Sequence, residues 1–228
     1  MYNTIKRILD IIFSGAAILA LSPLLITVIL ILLCTGEHDV FYGQTRIGKD
    51  RKYFKIWKFV TMRRNSETQG NGMHTMRGDP RVLPFGKFLR MTKINEIPQI
   101  FNIFFGDMSI VGPRPQVDST FAPYSEEVKA RISTIRPGLT GIWSVVFRDE
   151  EAILSKVRAR GENVDEYYAK VIAPHKGALE MWYLDHYGFW TDFKLIVITA
   201  WVVIRTASRH ILRWGFPDLP SRPQALKV

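Results

Sequence analysis

From Ile11 to Cys34 the chain reads "IIFSGAAILALSPLLITVILILLC", an apolar run without a charged side chain. A helix needs about 20 such residues to cross the hydrocarbon core of a bilayer, so the run is long enough to enter a membrane. Lys6 and Arg7 precede it, as in a cleaved signal peptide. That reading fails because the run is too long, no small-x-small cleavage site follows, and Asp10 stands at its entrance. Ser22-Pro23 lies in the middle. Proline removes one backbone hydrogen bond and crowds the preceding turn, so the pattern predicts a kink there. Two forms fit: a kinked spanning helix, or a helix-break-helix that dips in and returns. Lys6 and Arg7 lie before the run, and Arg46, Lys49, Arg51, Lys52, Lys55 and Lys58 after it. Positive charge prefers the cytoplasmic side, and a re-entrant hairpin would leave both basic flanks there.

Beyond the run the period changes. Phe41 to Met62, "FYGQTRIGKDRKYFKIWKFVTM", alternates apolar and basic residues around Gly48 and predicts a short β-hairpin. Asn65 to Asp79 is polar and glycine-bearing, and reads as a mobile loop. "LPFGKFLRMTKINEIPQIFNIFFG" has helical spacing in two pieces, hinged near Thr92 to Asn95. Pro113, Pro115, Pro123 and Pro137 punctuate a loop-rich stretch, and Glu150 to Leu184 reads as mainly helical. The last apolar segment, "FWTDFKLIVITAWVVIRTASRHILRW", carries Trp190, Trp201 and Trp214 and sheds basic residues at its end. Tryptophan favours the lipid interface, so the segment reads as an amphipathic helix lying on a membrane. A buried core helix is the alternative for its middle.

Composition narrows the partners. The 228 residues suffice for one ordinary domain with a sizeable core plus an attachment. Lys and Arg number 31 against 21 Asp and Glu, a net charge of +10 that suits nucleic acid, an acidic membrane face or phosphorylated substrates. No nucleic-acid-binding module is recognisable and the basic residues are spread out, so nucleic acid is not the expected partner. A lone cysteine, Cys34, excludes an intramolecular disulfide and a multi-cysteine zinc site, and the five histidines show no metal-ligand spacing.

The chemistry concentrates around Pro98. Proline is tolerated only in the first turn of a helix, so Asn95 is expected near an N-cap, and a helix N-terminus is a seat for phosphate. Lys87, Arg90 and Lys93 surround it in sequence; Arg114 follows in "VGPRP" and Arg136 in "RPGLTG". Arginine grips phosphate oxygens bidentately, and fixed cations stabilise charge on a transferring phosphoryl group. Asp79, Glu96 and Asp107 are the nearby acids that could hold a hard divalent ion.

These motifs carry a resemblance. "KRILD" at Lys6 to Asp10, Ser22-Pro23, "KFVTMR" at Lys58 to Arg63, "DPRVLPFGKFLR" at Asp79 to Arg90, "NEIPQIFNIFFGDMSIVGPRP" at Asn95 to Pro115 and "RPGLTG" at Arg136 to Gly141 occur in this order. Together they resemble the bacterial sugar transferases, the monotopic polyprenyl-phosphate sugar-1-phosphate transferases or phosphoglycosyl transferases, over residues 1 to about 205. The resemblance implies a mainly α fold with a short β-hairpin. A re-entrant membrane helix broken at Ser22 and Pro23 (1–36) would be followed by a small cytosolic α+β catalytic domain with amphipathic interfacial helices (37–205) and a basic tail (206–228). It implies Mg²⁺ and a place on the cytoplasmic face of the bacterial inner membrane; Glu96 is then the expected essential carboxylate, as metal ligand or as nucleophile, and Asn95 an orienting residue if the displacement is direct. It also implies transfer of a sugar 1-phosphate from a UDP-sugar to undecaprenyl or another polyprenyl phosphate, releasing UMP, as the first membrane step of glycoconjugate or exopolysaccharide synthesis.

In the family an Asp-Glu pair stands where this chain has Asn95-Glu96, and the aspartate is the proposed nucleophile. Arg114 and Arg136 match phosphate-contacting residues, Arg90 and Lys87 join them, and Arg148 keeps a further family arginine. Beyond Gly141 the fit weakens, and acceptor or sugar specificity is expected there. The lost aspartate leaves a second reading, an inactive membrane scaffold of a polysaccharide-assembly complex. Self-association as a homo-oligomer and the identity of the sugar are left open by the residues.

Overall fold

The computed structural model describes residues 2–64, 66, 79–147, 150–204 and 215–226. The loop expected at Asn65 to Asp79 thus lies outside the described residues except for Ser66 and Asp79, as do Arg148, Trp214 and much of the tail 206–228. The fold is mainly helical, and the chain forms two compact units. One comprises Leu9–Thr45 and Lys55–Phe105; the other comprises Met1–Ile8, Arg46–Phe54 and Gly106–Val228.

The apolar run is a single helix, α1 (Tyr2–Cys34), long and apolar enough to cross a membrane. It continues through Ser22-Pro23, where the sequence predicts a break. The local chemistry accounts for this. Pro23 has no N–H for the carbonyl of Leu19, four residues back, and the Ser22 hydroxyl donates to that carbonyl at 2.8 Å instead. Thr27 Oγ1 in turn donates to the Pro23 carbonyl at 2.8 Å. Leu25, Val28 and Leu32 form a stripe buried against Phe59, Leu89 and Ile100, while Leu19, Ile26 and Leu30 stay exposed. Large apolar side chains cost free energy in water but none in lipid, so the exposed positions suit a bilayer.

The predicted hairpin is present as β1 (Phe41–Ile47) and β2 (Tyr53–Phe59). The two-piece helical stretch is α2 (Pro84–Met91) and α3 (Gln99–Phe105). Pro84 opens α2, where its missing N–H costs nothing. The Asn102 side chain holds α3 on the hairpin, accepting from the Trp57 N–H at 2.9 Å and donating to the Lys55 carbonyl at 2.8 Å.

In the other unit Gly106 takes φ 102°, a conformation that side chains rarely adopt, and leads into β3 (Ser109–Val111). After α4 (Asp118–Phe121) and α5 (Glu126–Ile132), the latter capped by Ser125, comes β4 (Gly138–Thr140). β3 and β4 pair in parallel, Ser109 opposite Gly138 and Val111 opposite Thr140, a second small sheet that the sequence did not announce. A helical layer follows: α6 (Ile142–Val146), α7 (Glu150–Ala159), α8 (Val164–Tyr167) and α9 (Ala173–Asp185). A π-turn over Tyr168–Ile172 joins the last two ahead of Pro174, which could not continue a regular α-ladder. Ile142, Trp143, Phe147, Leu179, Tyr183 and Leu195 are among the core residues of this unit.

The last long helix, α10 (Phe189–Ile204), has two faces. Asp192, Leu195 and Ile198 are buried, whereas Phe189, Trp190, Phe193, Val197 and Trp201 are exposed. The core reading of this helix holds for its buried side, and the other side is apolar and exposed. Asp192 also receives the start of α1: Tyr2 Oη donates to it at 2.5 Å, Tyr183 Oη at 2.7 Å, and the Lys6 ammonium pairs with it. Residues 215–226 pack on the same unit, with Phe216 and Leu226 buried and Tyr167 Oη donating to the Ala225 carbonyl at 2.7 Å.

Candidate functional site

Between α2 and α3 the chain makes a tight turn. Lys93 takes a left-handed conformation at φ 61°, costly for a residue with a β-carbon, and a 3-10 turn follows over Ile94–Glu96. Asn95 is inside that turn. The N-cap expected from Pro98 is therefore not at Asn95: α3 begins at Gln99, four residues on, and spans only about two turns. The Asn95 side chain is buried, and its Oδ1 accepts no hydrogen bond among the described residues. Glu96 differs from its neighbour. Its side chain is 34% exposed, with the Lys58 ammonium 3.8 Å from Oε1. A carboxylate so placed is part-exposed to solvent and faces a cation, which suits it to meet a phosphate-bound metal or an electrophilic phosphorus.

The other predicted residues of this unit divide. Lys87 is exposed on α2, and Arg90 Nη1 reaches Thr61 Oγ1 at 3.4 Å. Asp79, offered by the sequence as an alternative metal ligand, is engaged by Arg81, whose Nε and Nη2 lie 2.9 and 2.6 Å from its two oxygens. A carboxylate held in that fork has its lone pairs occupied, so Asp79 does not stand ready for a cation. Among the described residues no cluster of three or more His, Cys, Asp or Glu could hold a metal by itself.

In the unit of residues 106–226 the two arginine-proline motifs come together through the backbone. β3 leads directly into Pro113-Arg114-Pro115, and Arg136-Pro137 leads directly into β4. The Gly138 N–H donates to the Pro113 carbonyl at 2.8 Å, and the Ser109 N–H to the Pro137 carbonyl at 2.8 Å. The strands approach so closely that a β-carbon on Gly112 would lie 2.5 Å from the Arg136 carbonyl oxygen. Arg136 Nε donates to the Gly106 carbonyl at 2.7 Å, which fixes its guanidinium. Arg114 is exposed, and its guanidinium makes no hydrogen bond or ion pair among the described residues. An arginine held by two prolines and left without an internal partner is suited to an external anion. Asp107 is exposed near the start of β3, and Arg148 lies outside the described residues.

Sequence reasoning missed the charges beneath these loops. Lys176 and Glu180 of α9 are 3% and 1% exposed, and Glu180 Oε1 accepts the Arg114 backbone N–H at 3.3 Å. Burial raises the Glu180 carboxyl to about 7 and lowers the Lys176 ammonium to about 8. Their four-residue spacing was visible as a helical pair; that both are inside the fold was not.

Comparison with known proteins identifies the family. The chain is 32% identical over 198 residues to the UDP-glucose:undecaprenyl-phosphate glucose-1-phosphate transferase of Klebsiella pneumoniae, covering 86% of this chain and 39% of that protein. It is 35% identical over 172 residues to the UDP-N-acetylgalactosamine-undecaprenyl-phosphate N-acetylgalactosaminephosphotransferase of Aeromonas hydrophila, covering 75% and 40% respectively. With the exopolysaccharide production protein ExoY of Sinorhizobium fredii it shares 33% identity over 166 residues, 67% of this chain and 73% of that protein. The chain thus spans about two fifths of the length of the first two relatives. A family model described as bacterial sugar transferase matches residues 1–206, and with it the chain belongs to the bacterial sugar transferase family.

Proposed function

We propose that the chain transfers a sugar 1-phosphate from a UDP-sugar to undecaprenyl or another polyprenyl phosphate, with release of UMP. The observation that carries this is the Arg114 guanidinium, exposed and making no hydrogen bond or ion pair among the described residues, on a loop stiffened by Pro113 and Pro115. The names of the relatives, which specify undecaprenyl phosphate and UDP-sugars, support the substrate classes. In this reading Arg114 and Arg136 bind the diphosphate and stabilise charge as the bond from the sugar-bearing phosphorus to the bridging oxygen breaks. UMP leaves with the bridging oxygen, and the sugar-bearing phosphorus accepts an oxygen nucleophile. The acceptor phosphate supplies that oxygen either directly or after Glu96 has carried the group as an acyl phosphate. Asn95 cannot carry it, because its amide nitrogen lone pair is delocalised and its oxygen is a weak nucleophile.

Mg²⁺ fits Glu96 as a single partly exposed carboxylate, since this ion is usually held by one or two carboxylates together with substrate phosphates. Bound there it would neutralise negative charge on the diphosphate. A membrane placement is part of the same reading, and one grouping of residues supports it. Residues 2–8 and 46–54, which flank the apolar helix, belong to one compact unit, Lys6 through Asp192 and Arg46 through the Pro115 carbonyl at 3.1 Å. A helix that crossed the bilayer would leave those flanks on opposite sides. We therefore read α1 as entering and returning on the cytoplasmic face of the inner membrane, with the aromatic face of α10 at the lipid interface.

An inactive scaffold, the alternative raised by Asn95, gains no support from relatives named as transferases. The decisive experiment is UMP release from a panel of UDP-sugars, with and without undecaprenyl phosphate and with EDTA. Release that needs one sugar nucleotide, the lipid phosphate and Mg²⁺ is expected. Failure of every donor to yield UMP would overturn the reading.

A further inference from the structure

The buried charges under the Pro113-Arg114-Pro115 loop have no part in the chemistry so far. Glu180 is 1% exposed; Oε1 accepts the Arg114 backbone N–H at 3.3 Å, and Oε2 has no hydrogen-bond partner among the described residues. One turn earlier on the same helix, Lys176 is 3% exposed, with its ammonium 4.8 Å above the Trp143 ring and 4.0 Å from Glu150 Oε2. Glu150 also accepts from Trp143 Nε1 at 3.0 Å. Tyr124 and Tyr168 line the same interior, and the Tyr124 hydroxyl has no partner among the described residues. Interior charges are a poor source of stability, because desolvation offsets their attractions and apolar residues of similar size often serve as well. Their presence calls for another reason, and the hydrogen bond to Arg114 supplies one.

We propose that Glu180 is a positioning residue for phosphate binding. It holds the Arg114 main chain from inside the fold; burial raises its carboxyl, while the Arg114 N–H and the charges of Lys176 and Arg114 favour the carboxylate. This rests on the role given to Arg114 in the proposed reaction. A main-chain N–H bonded to a carboxylate is held more firmly than one bonded to a neutral oxygen. The loop geometry, and with it the direction of the Arg114 guanidinium, thus depends on whether Glu180 is ionised. The charged and titratable groups that face the pair are Glu150, Arg114, Arg46, Tyr124 and Tyr168. Burial brings Glu180 to about 7, so the carboxylate that anchors the loop is lost as pH falls through neutrality.

The test uses the full chain in nanodiscs with three variants: Glu180→Gln, Glu180→Leu and the pair Lys176→Met with Glu180→Leu. Amide exchange of peptides covering residues 109–116 is followed by mass spectrometry. UMP release is measured from whichever UDP-sugar the parent uses, between pH 5.5 and 8.5 (a window of roughly 1.5 units around the carboxyl). The apolar pair is expected to melt at or above the parent's temperature, yet to exchange residues 109–116 roughly tenfold faster. Its turnover should fall on the order of tenfold or more, with KM for the UDP-sugar raised. Glu180→Gln should keep the fold and lose the acidic limb of the parent's pH profile. The proposal is overturned if the variants leave exchange at 109–116 unchanged, if turnover is unaffected in a well-folded variant, or if Glu180→Gln keeps the parent's profile. Should the parent release no UMP, the exchange measurement still decides the anchoring of the loop by itself.

Discussion

Asn95 and Glu96 are neighbours in sequence, but their environments assign them opposite roles. The amide is buried with an oxygen that accepts no hydrogen bond among the described residues, whereas the carboxylate reaches solvent and a lysine. A buried acceptor without a partner costs on the order of 1–3 kcal/mol, which a fold does not retain at a surface turn without some return. We expect Asn95→Asp to retain or raise UMP release, since the change restores a nucleophilic oxygen in nearly the same volume. Glu96→Gln should abolish release whether Glu96 attacks phosphorus or holds a metal. Parallel kinetics of the two variants check this, and a Glu96→Gln protein as active as its parent would end the assignment. The sequence singled out this dipeptide. The burial that separates its two members was not legible there, because it depends on packing around the turn at Lys93.

Among the elements, the hairpin, the two-piece helix 84–105 and the helical stretch 150–185 follow from period and turn chemistry, which act over a few residues. The β3–β4 pair was illegible because strands of three residues are too short to show alternation and lie 29 positions apart in register. The motifs that flank them were read as rigid loops, without the pairing that joins them. That pairing depends on glycine: a β-carbon at Gly138 would sit 2.1 Å from the Gly112 nitrogen. Gly138→Ala must push the two loops apart, at a cost of roughly 1–3 kcal/mol by analogy with overpacked cores. A lower melting temperature together with a raised KM for the sugar nucleotide is the expected outcome. An unchanged KM would mean that the spacing of the arginine loops does not matter for binding. At α1 the sequence pointed to Ser22-Pro23 correctly as a special site, but the Ser22 hydroxyl fills the carbonyl that Pro23 leaves open and the helix continues.

For the molecule as a whole, the testable consequence is topology. If residues 2–8 and 46–54 share one face, single cysteines at positions 3 and 50, in a Cys34→Ser background, should both resist a membrane-impermeant maleimide added to intact cells. Both should react after permeabilisation. Labelling of position 3 alone from outside would establish a spanning helix.

Length and hydropathy were enough to mark a helix able to enter a membrane, and charge to favour an anionic partner, since both are properties of short windows of sequence. The arginine-proline and asparagine-glutamate motifs were equally plain, because each is a local stereochemical statement. The docking of Lys6 on Asp192, 186 residues away, and the enclosure of Lys176 and Glu180 had no such local signature. Whether a charge is solvated or buried is fixed by neighbours from distant parts of the chain, and the low dielectric they create decides how strongly it acts.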